Sequence, residues 1–252
     1  MLRRLNILSG SAIHATDGTI GHVKDFYFDD QAWVVRYLVV NPGSWLADRK
    51  VLISPYGVTR PLGDNHIINV SMNREQVKKS PNIDTHKPVS RQRELDYLDY
   101  YGYPTYWDGA GIWGADAVPI LPPLTLSGYA ERRERRETSV ESGDEHLRST
   151  GEVSGYHLKA SDESIGHVED FLFDEETWGI RYLIINTRDW WPGGKKVLVS
   201  TRWINSIEWT ERRIVTSLTS EVVKSSAEEL TTFDREFEQR LHTAHGKTGY
   251  WV

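Results

Sequence analysis

The stretch Ile20–Asn41, IGHVKDFYFDDQAWVVRYLVVN, decides the fold, because nearly the same stretch, IGHVEDFLFDEETWGIRYLIIN, occurs again at Ile165–Asn186. Of the 22 aligned positions, 13 are identical, where about one or two would match by chance in ordinary composition. Most of the differences are conservative, such as Val35/Ile180 and Val39/Ile184. The chain is therefore predicted to carry one unit twice, by internal duplication.

The repeat continues on both sides of this stretch at a nearly constant offset. Upstream, Ser9-Gly10 aligns with Ser154-Gly155. Downstream, KVLIS at Lys50–Ser54 aligns with KVLVS at Lys196–Ser200. A tail follows each copy, in which Arg91, Glu94, Tyr106 and Trp107 align with Arg235, Glu238, Tyr250 and Trp251. We therefore predict a first domain at 1–107, a connecting segment at 108–152 and a second domain at 153–252.

The body of each copy has the pattern of β-structure. A tight turn is predicted at Asp17-Gly18, and the runs Phe26–Phe28 and Val34–Val40 are rich in β-branched and aromatic residues. Further strands are predicted at Lys50–Ser54 and Ile67–Met72. Short strands about ten residues apart, with turns between them, are typical of a small antiparallel barrel or sandwich.

The tails are predicted to be helical. Phe233, Phe237 and Leu241 recur every four residues, which places them on one helix face, and Gly102 and Gly246 fit the position of a helix C-cap. The predicted fold class is therefore mainly β: two small antiparallel β-barrels, each with a short C-terminal helical tail.

Composition excludes several classes of protein. The chain of 252 residues has a formal net charge of −6 and a pI near 5.9, which makes nucleic acid an unlikely main partner. It has no cysteine, so disulfides and thiolate sites are excluded. The N-terminus has no apolar signal region, and the most apolar run, AWVVRYLVV, is too short to span a membrane and contains Arg36. We expect a cytoplasmic protein without a transmembrane segment.

The segment between the copies changes character along its length. DGAGIWGADAVPILPPLTL, from Asp108, is rich in glycine and proline and is interpreted as an ordered segment lying over a barrel. AERRERRETSVESGDEHLRS, from Ala130, has mixed charge and no apolar periodicity, which indicates a mobile linker.

The pattern I-G-x-V-x-D-x-x-F-D, then W-x-x-R-Y-L, then K-V-L-[IV]-S resembles the PRC-barrel domain, over Ser9–Pro81 and Ser154–Ala227. The tails, with R-x-x-E and a final Tyr-Trp, resemble those of two-copy bacterial PRC-barrel proteins. The resemblance implies a β-barrel of about six strands that serves as a docking module, and it implies no catalytic residue.

Polar residues that recur in both copies have structural interpretations. His22 and His167 precede Asp25 and Asp170 by three residues, and such residues point to opposite faces of a strand, so shared metal binding is disfavoured. Asp29 and Asp174 are predicted to cap turns. Gly21 and Gly166 indicate a bulge or a close backbone approach. Arg36 and Arg181 either project outward or pair with an acid such as Asp25 or Asp170.

Aromatic residues in the loops and tails are the candidate partner-binding residues, because tryptophan and tyrosine dominate interface hot spots. The alternative for the tail residues is that each tryptophan closes one end of its barrel. The candidates are Trp45, Trp107, Trp190, Trp191, Tyr250 and Trp251.

No sequence motif of a nucleophilic, nucleotide-binding or zinc enzyme is present. We therefore expect a non-catalytic cytoplasmic adaptor or scaffold without a cofactor or metal, which binds a protein partner or forms homo-oligomers. A ribosome- or RNA-associated factor is the alternative, and a small-molecule or metal-binding enzyme using His22 or His167 is a third possibility.

Overall fold

The computed structural model describes residues 1–46, 49–63, 65–81, 89, 91–121, 146–226 and 233–251. It divides into two compact units. The first-copy unit comprises Ser9–Ser149, and the second-copy unit comprises Met1–Leu8 together with Thr150–Val252. The predicted charged linker, including the run Arg132–Arg136, lies largely outside the described residues.

The first-copy unit is built on one sheet. Its strands are β2 (Ala12–Ala15), β3 (Gly18–Asp29), β4 (Val34–Asn41), β5 (Val51–Ile53), β6 (Ile67–Asn69) and β7 (Leu147–Ser149). They hydrogen-bond in the order β5-β4-β3-β2-β6, and β7 adds to β3. In β4 the residues Val34–Val40 are all buried, which places this strand at the centre of the core.

The second-copy unit repeats this arrangement with one further strand. Its strands are β1 (Leu2–Arg4), β8 (His157–Lys159), β9 (Ser164–Asp174), β10 (Ile180–Asn186), β11 (Lys196–Ser200), β12 (Ile204–Glu208) and β13 (Arg213–Thr216). The order is β11-β10-β9-β8-β13-β12, in which β12 is the further strand, and β1 adds to β9. The chain is thus mainly β, with two separate sheets.

The strand before each copy pairs with the sheet of the other copy. In the second-copy unit Leu2 pairs with Asp174, and in the first-copy unit Leu147 pairs with Asp29. The two registers are the same once the offset of the repeat is applied. The compact units therefore differ from the predicted domain boundaries, because Met1–Leu8 belongs with the second copy and Leu147–Ser149 with the first.

One pairing in each sheet corrects the prediction that the strands are antiparallel throughout. β2 runs parallel to β6, and β8 runs parallel to β13. The physical reason is the chain path, since three intervening strands separate β2 from β6 and return the chain in the same direction.

Helices are short and lie at the ends of the copies. The helix bounds are Arg74–Lys79, Arg91–Tyr101, Thr150–Val153, Ser220–Ser225 and Arg235–Ala244. Arg91–Tyr101 and Arg235–Ala244 are the predicted tail helices. Asp234 caps the second of them by accepting a hydrogen bond from the Phe237 amide. None of the helices in the described ranges is long and apolar enough to cross a membrane.

The two strand glycines have the predicted role of close backbone approach. A Cβ at Gly21 would clash with the carbonyl oxygen of Asn41, and a Cβ at Gly166 would clash with that of Asn186. Gly166 also has a φ of 88°, which side chains disfavour. Each glycine thus lets the long strand β3 or β9 bend against the strand beside it.

Candidate functional site

Glu94 ties the first tail helix to the first-copy sheet. Its side chain is 0% exposed, and Oε1 accepts hydrogen bonds from the hydroxyls of Tyr37, at 2.9 Å, and Tyr106, at 2.6 Å. Tyr37 lies on β4 and Tyr106 lies beyond the helix. One carboxylate therefore joins the sheet, the helix and the end of the tail.

The surroundings of Glu94 shift its pKa in opposite directions. Burial raises the pKa of Glu94 to about 7, although the Tyr106 hydroxyl, the Arg91 charge and the Tyr37 hydroxyl each act to lower it. Arg91 Nη1 lies 3.5 Å from Oε2 at the i, i+3 spacing. The recurring Arg-x-x-Glu pattern thus docks the tail on the sheet, which is more than a surface ion pair would achieve.

The second tail uses the same arrangement. The Tyr182 hydroxyl donates to Oε1 of Glu238 at 3.1 Å, and Arg235 Nη1 lies 3.1 Å from Oε2. Burial raises the pKa of Tyr250, and a hydrogen bond to Glu238 adds to the shift. The second copy differs by a histidine, because His242 Nε2 lies 2.9 Å from the Tyr182 hydroxyl.

The terminal Tyr-Trp pairs of the tails pack against the arginines of these anchors. The guanidinium of Arg91 lies 3.9 Å from the ring centre of Trp107, and that of Arg235 lies 4.5 Å from the ring centre of Trp251. Trp107, Tyr250 and Trp251 are all half-buried. These three candidates therefore combine a packing role with a partly accessible ring face.

Trp113 is a residue that sequence reasoning did not single out. It lies in the strap, residues Asp108–Ile120, and is buried beside Tyr56, with ring centres 5.0 Å apart. The Arg36 guanidinium lies 4.8 Å from its ring centre and donates to the Ile112 carbonyl oxygen at 2.5 Å. The signal available in the sequence was one tryptophan between glycines in a Gly/Pro-rich segment.

Arg36 and Arg181 pair with acids other than the suggested Asp25 and Asp170. Arg36 Nη2 lies 3.1 Å from Asp29 Oδ2, and Arg181 Nη2 lies 4.0 Å from Asp174 Oδ2. The register explains this, because Asp29 pairs with Val34, whereas Asp25 pairs with Val39. Asp29 also caps its turn as predicted, by accepting from the amides of residues 31 and 32.

The Trp45 side chain packs against the first-copy unit. Its indole N–H donates to the Ile20 carbonyl oxygen at 2.6 Å, and the Arg74 guanidinium lies 4.6 Å from its ring centre. Trp45 forms one side of a groove of about 390 Å³, which is also lined by His22 and Pro42. The ring is half-buried, so one part of it remains accessible.

Trp190 is one of the two tryptophans, with Trp191, in the loop that corresponds to the loop of Trp45, and it is presented to solvent. It is 39% exposed and is the most exposed tryptophan in the described part of the chain. It lies on the Trp190 loop, residues Thr187–Lys195, with its ring centre 5.5 Å from that of His157. Trp191 is half-buried and has Lys224 Nζ 5.2 Å from its ring centre.

Hydrogen bonds connect the two ends of the Trp190 loop. The Thr187 hydroxyl accepts from the Lys195 amide at 2.9 Å and donates to the Lys195 carbonyl oxygen at 2.5 Å. The Trp190 amide donates to the Thr187 carbonyl oxygen at 3.1 Å. These hydrogen bonds join the first residue of the loop to its last residue and to Trp190.

In the described part of the chain, neither His22 nor His167 lies in a cluster of potential metal ligands. His22 is exposed on β3 and His167 is half-buried on β9, opposite His157. Within the described ranges, no group of three or more His, Cys, Asp or Glu side chains has the proximity needed to hold a metal ion.

A family model for the PRC-barrel domain matches residues 5–72 and 158–222, which together make up more than half of the chain. The chain belongs to the PRC-barrel domain family. The first matched segment contains β2 to β6, and the second contains β9 to β13 and most of β8, which identifies a two-copy PRC-barrel protein. The tail helices, the strap, Glu94 and Glu238 lie outside the matched segments. A search of curated proteins found no match.

Proposed function

We propose that this protein is a non-catalytic adaptor or scaffold that binds a protein partner through the Trp190 loop. The observation that carries the proposal is the difference between tryptophans in the corresponding loops of the two copies. Trp45 donates its indole N–H to a backbone oxygen of its own unit, whereas Trp190 is 39% exposed on a loop pinned at both ends. Tryptophan is one of the residues most enriched in interface hot spots, and it supplies a large contact area at a low cost in conformational entropy.

The proposal also covers the closure of each sheet, the origin of the two copies and the cellular location. Each sheet is proposed to form a small barrel, and the two copies to have arisen by internal duplication, with 13 of 22 residues identical in the central stretch as support. The site of action is proposed to be the cytoplasm, where a chain without cysteine needs no oxidising environment.

The experiment is affinity capture of the tagged full-length protein from an extract of its source cells, quantified by mass spectrometry. Trp190→Ala is compared with Tyr100→Ala, which removes an aromatic ring that is also 39% exposed, on the first tail helix. The proposal expects one protein enriched by the wild type and by Tyr100→Ala and lost with Trp190→Ala. Equal recovery by all three proteins would refute the role of this loop.

Capture of the bait alone would contradict a heterologous partner and leave self-assembly as the proposed form of scaffolding. Ribosomal proteins that persist in every variant and dissociate with salt would instead favour the RNA-associated alternative.

A further inference from the structure

The two copies differ in what packs over the equivalent arginines Arg36 and Arg181. In the first-copy unit the strap places the Trp113 ring centre 4.8 Å from the Arg36 guanidinium, which also lies 3.9 Å from the Tyr106 ring centre. The two rings meet edge to face, with centres 6.3 Å apart. The Tyr56 hydroxyl donates to the Trp113 carbonyl oxygen at 3.3 Å. Arg36 is only 2% exposed as a result.

The equivalent residues of the second-copy unit are more accessible. Arg181, the counterpart of Arg36, lies 4.3 Å from the Tyr250 ring centre but has a side chain that is 22% exposed. Arg235, the counterpart of Arg91, is 55% exposed where Arg91 is 20% exposed. Tyr250 is half-buried, whereas Tyr106 is buried. The same arginine–tyrosine stack is thus built in both copies and is more open in the second.

A cavity adjoins this open face. It has a volume of about 310 Å³ and is lined by residues that include Leu2, Asp174, Phe233, Arg235, Glu238 and Tyr250. Its walls combine two aromatic rings with an arginine and buried or partly buried carboxylates, which is the mixture of apolar and polar surface found in specific binding sites.

A second arginine replaces the tyrosine that contacts the strap. Arg202 aligns with Tyr56, is exposed, and donates to the Gly249 carbonyl oxygen at 3.1 Å. A guanidinium can supply both the donor for a backbone carbonyl and a cation for an aromatic face. We call the surface formed by Arg181, Arg202 and Tyr250 the Arg181 shelf.

We propose that the Arg181 shelf binds a loop of a partner protein that carries a tryptophan followed by glycine. The strap shows why this chemistry fits: an indole ring covers the guanidinium, the preceding carbonyl accepts from it, and the next amide donates to the tyrosine carbonyl oxygen, as Gly114 does to Tyr106 at 3.0 Å.

Glycine is required after the tryptophan because of close backbone contact. A Cβ at Gly114 would lie 2.7 Å from the Thr105 carbonyl oxygen, and Gly114 has a φ of 79°. The inference rests on the proposed docking function, but it concerns a different surface from the Trp190 loop and names the chemistry of the bound segment.

The probe is a fluorescent synthetic peptide with the sequence of the strap, residues 108–120, titrated into the full-length protein and followed by anisotropy. We expect saturable binding that weakens by about tenfold in Arg181→Ala and in Arg202→Ala, since each removes one cation from the indole. Arg212→Ala is the matched control, because Arg212 also lies over a tyrosine, Tyr156, at 5.3 Å. A peptide with alanine at its tryptophan should not bind.

Absence of saturable binding would overturn the inference. So would equal binding to wild type and to both shelf variants, because the peptide would then be exchanging with the strap of the first copy. A wild-type dimer in sedimentation that is lost with Arg181→Ala and with Trp113→Ala would replace the partner with a second copy of this chain. Trp190→Ala should leave peptide binding unchanged, which separates failure of the shelf from failure of the Trp190 loop.

Discussion

Replacement of Tyr37 by phenylalanine tests the anchor between the first tail and its sheet. The change removes the hydroxyl that donates to Glu94 at 2.9 Å and keeps the ring, which packs edge-on against Tyr97 with centres 5.3 Å apart. A hydrogen bond to a buried charged group contributes about 1.5–3 kcal/mol. Because Tyr106 still donates to the same oxygen, we expect the lower half of that range, about 1.5–2 kcal/mol.

The assay is urea denaturation at about pH 8.5, where Glu94, whose pKa is raised to about 7, is charged. Hydrogen exchange of the first tail helix then resolves unfolding of this unit from that of the other. Tyr100→Phe is the control, since it removes a hydroxyl that donates to the Gln76 carbonyl oxygen at 2.8 Å at an exposed position. We expect a loss of about 0.5 kcal/mol or less there. Equal losses in the two variants would refute the anchor.

Three further predictions concern Glu94, Leu5 and Trp113. Because burial raises the pKa of Glu94 from 4.5 to about 7, its contribution to stability is complete below pH 4.5 and is lost as the pH rises to about 7. Wild type should therefore lose about 3 kcal/mol relative to Glu94→Gln over that window, and parallel pH profiles would contradict this. Leu5→Ala, at a position 2% exposed, should destabilise the second-copy unit by about 2–5 kcal/mol, measured as lost exchange protection in β9 with that of β3 retained. Trp113→Ala should release the strap and make it susceptible to limited proteolysis, and an unchanged digestion pattern would refute the role of Trp113.

Local sequence patterns predicted the elements that depend on local physics. The β-branched run Val34–Val40 forms β4, and Gly102 and Gly246 have the positive φ of C-caps. Phe237 and Leu241 lie buried on the helix Arg235–Ala244 as their spacing predicted, whereas Phe233 precedes the N-cap Asp234 and is not part of that helix. In each case the determining interactions lie within a few residues of the chain.

The long-range pairings could not be predicted from local sequence patterns. Residues Leu2–Arg4 carry no pattern that distinguishes one sheet edge from the other, and their partner, Asp174, lies far along the chain. The contact between Trp113 and Arg36 is also non-local, because it depends on the path of a glycine-rich segment. The partner of Arg36 could have been deduced from strand register, since Asp29 and Val34 are the last pair of the hairpin.

The recurrence of the Arg-x-x-Glu pattern indicated that the tails dock, but the tyrosines that donate to the glutamates could not be predicted. Tyr37 and Tyr182 are separated from their glutamates by more than fifty residues, so no spacing rule joins them. The exposure of Trp190 relative to Trp45 likewise depends on loop hydrogen bonds made by Thr187, where the first copy has Pro42.

The most direct test of docking through the Trp190 loop is site-specific photocrosslinking in living cells. Benzoylphenylalanine is placed at position 190 and, in a separate protein, at position 100, two sites of equal exposure. The account predicts one discrete adduct with a single partner from position 190 and none with that partner from position 100. No adduct at position 190, or the same adducts at both positions, would contradict it.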